Sequence, residues 1–182
     1  MTRLGRIGAL VVTILALAVP AAAQENPPQF QPLQVGAETG LPLPRFVSMK
    51  TSEANIRRGP SLTHRVDWVF RHQGLPLIVT AEYGHWRRVV DRDGVGGWIH
   101  YALLSGTRTV IVDTDMAELH ARPDLTAPVR AEAERNVIAR LDECADGWCR
   151  IRAGGRKGWV PQDQLWGVTL EPVRTAAVAP GG

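Results

Sequence analysis

The sequence predicts an all-β protein in which one small module is written twice, and three observations carry that expectation. The first is a short stretch near the C-terminal end, Cys144-Ala145-Asp146-Gly147-Trp148-Cys149-Arg150-Ile151, followed by Gly158-Trp159-Val160. Asp-Gly between apolar-alternating segments is a strong hairpin signal, because a type I′ turn needs positive φ at both central residues. The second is the recurrence of this arrangement as Tyr83-Gly84-His85-Trp86-Arg87-Arg88-Val89 followed by Gly97-Trp98-Ile99. The third is the placement of 18 Gly and 13 Pro between short apolar runs, as a many-turned β protein requires. The Trp after each turn and the Trp of the next strand are expected to share a small sheet core.

Taken in order, residues 1–23 read as a secretory signal peptide. Arg3 and Arg6 form a positive n-region, Ile7 to Val19 an apolar run too short to span a bilayer, and Ala21-Ala22-Ala23 a cleavage site. Export as a protein with no membrane anchor after cleavage, periplasmic or secreted, is the expectation. Residues 24–45 contain Pro27, Pro28, Pro32, Pro42 and Pro44 without sustained periodicity and read as a Pro-rich linker.

The first module runs over 46–106. Val47 to Lys50 opens it, and Asn55 to Ser61 is a strand end entering a turn. Leu75, Leu77, Val79 and Ala81 alternate with period two, as a half-buried strand does. Gly84-His85 and Asp91-Arg92-Asp93-Gly94 are turns, and Tyr101 to Leu104 has the length of one helical turn.

The second module runs over 110–167. Leu119, Pro123, Leu125-Thr126 and Val129 repeat Ile56, Pro60, Leu62-Thr63 and Val66 at an offset of 63. Trp148 repeats Trp86 at 62, and Gly158-Trp159-Val160 repeats Gly97-Trp98-Ile99 at 61. The drift implies single-residue deletions in loops. Copies of this size have marginal cores, and only Ser105 to Thr109 separate them, so they are expected to pack on each other. Residues 168–182 read as a flexible tail.

Pro60-Ser61-Leu62-Thr63 after Ile56-Arg57, Trp86-x-x-Val89, Gly97-Trp98-Ile99 and their counterparts Gly147 to Ile151 and Gly158-Trp159-Val160 together resemble the bacterial SH3-like domain. The resemblance covers both copies and implies two tandem small SH3-like β-barrels. Family members commonly target exported proteins to the cell envelope by binding peptidoglycan or its stem peptides, often as accessories to a hydrolase.

The two cysteines, Cys144 and Cys149, are expected to bridge. With Asp146-Gly147 at the turn, Ala145 faces Trp148 and Cys144 faces Cys149 at a non-hydrogen-bonded site, where Cα atoms lie about 4.5 Å apart. At the offset of 62, Glu82 and Arg87 occupy these positions in the first copy, so an exposed cross-strand ion pair worth under about 1 kcal/mol is expected there.

Any ligand groove is expected in the first copy. Trp68, Phe70, His72, Trp98 and Tyr101 lie in and around the loops flanking its strands, and flat rings give contact area with little entropy loss. Arg57, Arg58 and Arg71 are able to pair with carboxylates in bidentate fashion. The second copy aligns Arg130-Ala131-Glu132-Ala133 with the Trp68 stretch and Gln162 with Tyr101. The competing reading packs Trp68 and Phe70 between the copies.

Other chemistry is poorly supported. Histidines 64, 72, 85, 100 and 120 form no metal-ligand spacing, one C-x4-C pair falls short of a zinc set, and no Gly-rich loop opens a helix. No metal or cofactor is therefore expected, and no catalytic residue is assigned. Loss of Arg3 and Arg6 leaves 19 basic against 18 acidic residues, which gives no cause to expect nucleic acid as a partner. The first copy carries eight basic and five acidic residues over 47–106, and the second eight and ten over 110–167.

The expected function is a non-catalytic envelope-binding module recognising peptidoglycan or stem peptides. The alternatives are a scaffold subunit that binds another periplasmic protein and an envelope hydrolase. The mature N-terminus is predicted to be Gln24. N-terminal sequencing of exported protein checks this, and residues 1–23 retained on the mature chain would contradict it.

Overall fold

The computed structural model describes residues 34–170. The segment read as a signal peptide, the start of the Pro-rich segment and the residues beyond Leu170 lie outside the described residues. A short hairpin, β1 (Gln34–Val35) and β2 (Pro42–Leu43), precedes the first copy. The first copy comprises β3 (Arg45–Met49), β4 (Glu53–Arg57), β5 (Val66–Arg71), β6 (Pro76–Tyr83), β7 (Trp86–Val90), β8 (Gly96–His100) and β9 (Leu104–Ser105). The second repeats it as β10 (Thr109–Val112), β11 (Met116–His120), β12 (Val129–Glu134), β13 (Ile138–Ala145), β14 (Trp148–Ala153), β15 (Arg156–Pro161) and β16 (Leu165–Trp166).

The two sheets have the same topology. Their strand orders are β5-β4-β8-β7-β6-β3-β9 and β12-β11-β15-β14-β13-β10-β16. Each sheet encloses its own core and neither is closed by pairing between its end strands. A single turn of 3₁₀ helix, Tyr101–Leu103 or Gln162–Gln164, precedes the last strand of each copy.

Strand parity decides which apolar residues form the cores. Ile56, Leu77, Val79, Val89 and Ile99 fill the first, and Leu119, Ile151, Val160, Val110 and Val112 the second. Trp98 is adjacent to Ile99 and Trp159 to Val160, so the tryptophans point to the opposite face. They are half-buried there, as are Trp86 and Trp148. The shared tryptophan core expected from the sequence is therefore replaced by their aliphatic neighbours. The glycine before each Trp has a packing cause. A Cβ on Gly158 would lie 2.7 Å from Leu119 Cβ, and one on Gly97 2.6 Å from the Arg57 carbonyl oxygen, so only glycine lets these strands cross so closely.

The cysteine hairpin has the expected register. Ala145 faces Trp148, Cys144 faces Cys149, and Asp146 and Gly147 take φ of 50° and 77°. The disulfide joins Cys144 to Cys149 across a Cα separation of 4.0 Å. Closing so small a loop contributes about 2 kcal/mol in the chain-entropy account.

The equivalent hairpin of the first copy departs from expectation. Glu82 does face Arg87, at 3.4 Å, but both side chains are buried. The Glu82 carboxylate also accepts from Arg45 Nη2 at 2.6 Å, from the Thr39 hydroxyl at 2.7 Å, and from the backbone N–H groups of Glu38 and Thr39 at 3.0 Å each. Glu38 Oε1 in turn accepts from the Gly84 N–H at 2.8 Å. The last part of the Pro-rich segment is thus no free linker. It is clamped to β6 by Glu82, and Leu43 enters the first core.

The copies touch directly, as their size suggested. Thr109 Oγ1 donates to the Gly74 carbonyl at 2.7 Å, and Arg92 Nη2 to Asn136 Oδ1 at 2.7 Å. The Phe46 ring meets Trp166 edge-on at 5.5 Å, and the Arg108 guanidinium lies 5.1 Å from the centre of the Phe46 ring. Trp68 and Phe70 take no part in these contacts.

Burial alone would push the Glu82 carboxyl up, but the bonds from Thr39, Arg45, Glu38 and Thr39 outweigh it and hold the group at about 2, against an ordinary 4.5. A lowered folded value stabilises the protein above the unfolded value, and that contribution is lost as pH falls. The melting temperature should therefore drop between pH 4.5 and about 2. Glu82→Gln should lose about 3 kcal/mol at pH 7, by removing the counter-charge of buried Arg87 and half-buried Arg45. Thermal melts across this pH range check both. The variant should show a shallower acid slope than the wild type.

Candidate functional site

A groove of about 220 Å³ opens on the first copy, lined by Glu53, Ala54, Asn55, Arg57, Leu62, Trp86, His100 and Leu103. Its parts come from three places. β4 supplies Glu53, Asn55 and Arg57 from the side opposite to buried Ala54 and Ile56. The loop after β4 supplies Leu62. The β7–β8 hairpin places Trp86 opposite His100, where the rings meet edge-on at 5.6 Å.

The aromatic wall extends beyond the groove. His100 stacks on Tyr101 with centroids 5.0 Å apart, and His85 lies 5.6 Å from Tyr101 and 5.9 Å from His100. The Arg87 guanidinium stands 5.8 Å from the Tyr101 centroid, within cation–π range. Arg87 also donates to the carbonyls of Gly84 and Trp86, both at 2.8 Å. A continuous path of contacts therefore runs from buried Glu82 through Arg87 to Tyr101, His100 and the wall of the groove.

The arginines named from the sequence are held by the protein itself. Arg57 Nη1 donates to the carbonyls of Leu62 at 3.1 Å and His64 at 2.7 Å, which pins the loop that forms one side of the groove. Asp67 receives Arg65 Nε at 2.8 Å and Arg58 Nε at 3.1 Å. Hydrogen bonds from Arg65 and then Arg58 lower the Asp67 carboxyl below its ordinary value. Arg71 Nε lies 3.4 Å from Glu53 Oε2, at the mouth of the groove.

The aromatic residues named from the sequence are scattered. Tyr101 is exposed beside the groove. Trp68 is exposed and Phe70 buried, and both lie on strand β5, where loops were expected. Phe70 is packed in the first core and offers no platform to a ligand. Trp98 is half-buried opposite Arg88 and Arg57, outside the groove lining. Asn55, Leu62, Trp86, His100 and Leu103 were not named as a site, although a hairpin turning at Asp91 to Gly94 already places Trp86 opposite His100.

The second copy lacks this wall. At the corresponding register Trp148 faces Pro161, Gln162 follows in place of Tyr101, and Gly147 stands where His85 does. His120 occupies the place of Arg57, buried edge-on to Trp148 at 5.7 Å, with Nδ1 3.0 Å from the Ala127 carbonyl oxygen. Among the described residues no group of three or more His, Cys, Asp or Glu side chains is placed to hold a metal ion.

The family model for the bacterial SH3 domain matches residues 50–106 and 113–167, and the chain belongs to that family, with two copies of the domain. No curated protein matches the chain. Solved structures similar to it include NlpC2 of Trichomonas vaginalis, at 17% identity and a TM-score of 0.31 over 67% of this chain and 47% of that one. NlpC1 of the same organism is similar at 17% identity and a TM-score of 0.32 over 72% and 48%. The chain thus spans about half the length of each.

Arg57→Ala should free the loop it pins. With two intramolecular hydrogen bonds exchanged for bonds to water, stability should fall by about 1–2 kcal/mol, and the Arg58 and His64 amides should exchange faster with solvent while β6 and β7 remain protected. Amide exchange followed by NMR checks this.

Proposed function

We propose that the protein is an exported, non-catalytic module that recognises peptidoglycan through its stem peptides, using the groove of the first copy. The observation that carries the reading is the pairing of a Trp86–His100 wall with the polar lip of Asn55 and Glu53 on a domain of the bacterial SH3 family. A stem peptide presents amides, apolar side chains and an amine. The wall suits flat amide and apolar surface, Asn55 suits an amide, and Glu53 suits an ammonium group. The Cys144–Cys149 disulfide fits an oxidising, extracytoplasmic compartment.

A second reading, contact with a periplasmic protein, draws on the cleft of about 1280 Å³ where the copies meet, lined among others by Phe46, Trp148 and Trp166. Sedimentation with purified sacculi separates the two. Protein comprising residues 24–182 should co-sediment, and His100→Ala/Tyr101→Ala should lose at least tenfold in retention while still showing a cooperative thermal transition, lowered by loss of the His100 cap on the Ala102 N–H. Full retention by this variant would contradict the groove, and release of soluble muropeptides by pure protein would contradict a non-catalytic role.

A further inference from the structure

The duplication supplies its own control for one surface. In the first copy the outer-face row Phe46–Ile78–Val90–Gly96 runs across β3, β6, β7 and β8 in register. Phe46, Ile78 and Val90 face the cleft towards the second copy. The same row in the second copy is Thr109–Arg140–Arg152–Lys157, across β10, β13, β14 and β15. Three cations thus stand directly opposite one another on adjacent strands, an arrangement that costs stability. Arg150, two residues before Arg152, adds a fourth on the same face.

Compensation is incomplete. Asp142 lies 3.3 Å from Arg152 Nη2, 3.9 Å from Arg150 Nε and 4.0 Å from Arg140 Nε, and Glu143 lies 3.1 Å from Arg150 Nη2. Two carboxylates therefore serve three of the four cations, and among the described residues no ion pair reaches Lys157, on a copy whose total charge is negative. Arg150 Nε is buried with no hydrogen-bond partner. Trp159 sits opposite Arg150, whose guanidinium is 5.7 Å from its ring centre.

We propose that this face of the second copy docks on a leaflet of anionic phospholipid. The cations span about 10 Å across three strands and about 7 Å along β14. They form a two-dimensional patch, which fits an array of headgroup phosphates better than a single linear polymer. Trp159 brings an amphipathic ring of the kind that settles at headgroup level. The first copy has no counterpart to the row, because there the same positions are apolar and turned towards its neighbour. This surface is separate from the groove, so binding to vesicles and binding to sacculi succeed or fail independently.

The test is sedimentation of protein 24–182 with phosphatidylcholine vesicles, with and without phosphatidylglycerol. Binding should require phosphatidylglycerol and weaken with salt. Each cation near such a surface is worth about fivefold in partition, so Arg152→Gln should lose about fivefold and Arg140→Gln/Arg152→Gln/Lys157→Gln about a hundredfold. Removing the same charge elsewhere, in Lys50→Gln/Arg122→Gln/Arg130→Gln, should cost far less. Equal losses in the two triple variants would reduce the effect to net charge and overturn the proposal. So would the absence of wild-type binding to anionic vesicles, or binding to polyphosphate without binding to vesicles.

Discussion

The buried carboxylate of Glu82 is the interaction on which the first copy depends. A lone carboxylate in that position would be expelled or protonated. It stays charged because two guanidinium groups, a hydroxyl and two backbone N–H groups converge on it. Those donors come from three segments, the 34–43 hairpin, the start of β3 and the β6–β7 hairpin, and the carboxylate ties all three at one point, alongside the β3–β6 pairing, the Glu38–Gly84 bond and the burial of Leu43. Arg87 then carries the organisation outward, since the side chain that neutralises Glu82 also holds the turn carbonyls and lies near the Tyr101 ring. The wall of the groove is an extension of this buried network.

The second copy shows what the fold does without it. At the same two positions it has Cys144 and Cys149, whose covalent bridge fastens the hairpin with no donors and no preceding segment. Beside the bridge the aromatic wall is absent, with Gly147, Pro161 and Gln162 in place of His85, His100 and Tyr101. One sheet topology thus supports two solutions. In the first copy a charged network positions a groove, and in the second a disulfide holds the hairpin while the charge lies on the outer face.

Much of this was legible in the sequence, because turns and alternation are local. The Asp146-Gly147 turn fixed the cysteine register, and the drifting offsets between copies matched one topology in both. What escaped notice depends on the third dimension. Strand β5 was missed because Val66 to Arg71 lacks clean alternation, as an edge strand with one partner can. Trp98 and Trp159 were assigned to the core although each precedes an Ile or Val, and adjacent strand residues cannot share a face. The proline-rich segment gave no sign that Thr39 and Glu38 would find Glu82, more than forty residues away. The groove itself was half visible: Tyr101 and Arg57 were named, whereas Trp86 and His100 needed the hairpin register to be followed one step further.

The central claim is that the groove supported by the Glu82–Arg87 network binds the ligand and the equivalent region of the second copy does not. Chemical-shift mapping of the isotope-labelled protein during titration with a soluble muropeptide tests it directly. The account predicts perturbed resonances for the Asn55 side-chain amide, the Trp86 indole N–H and the His100 ring, with those of Trp148 and Gln162 unmoved. Perturbations centred on Trp148 and Gln162, or none at Trp86 and His100 at saturating ligand, would contradict it.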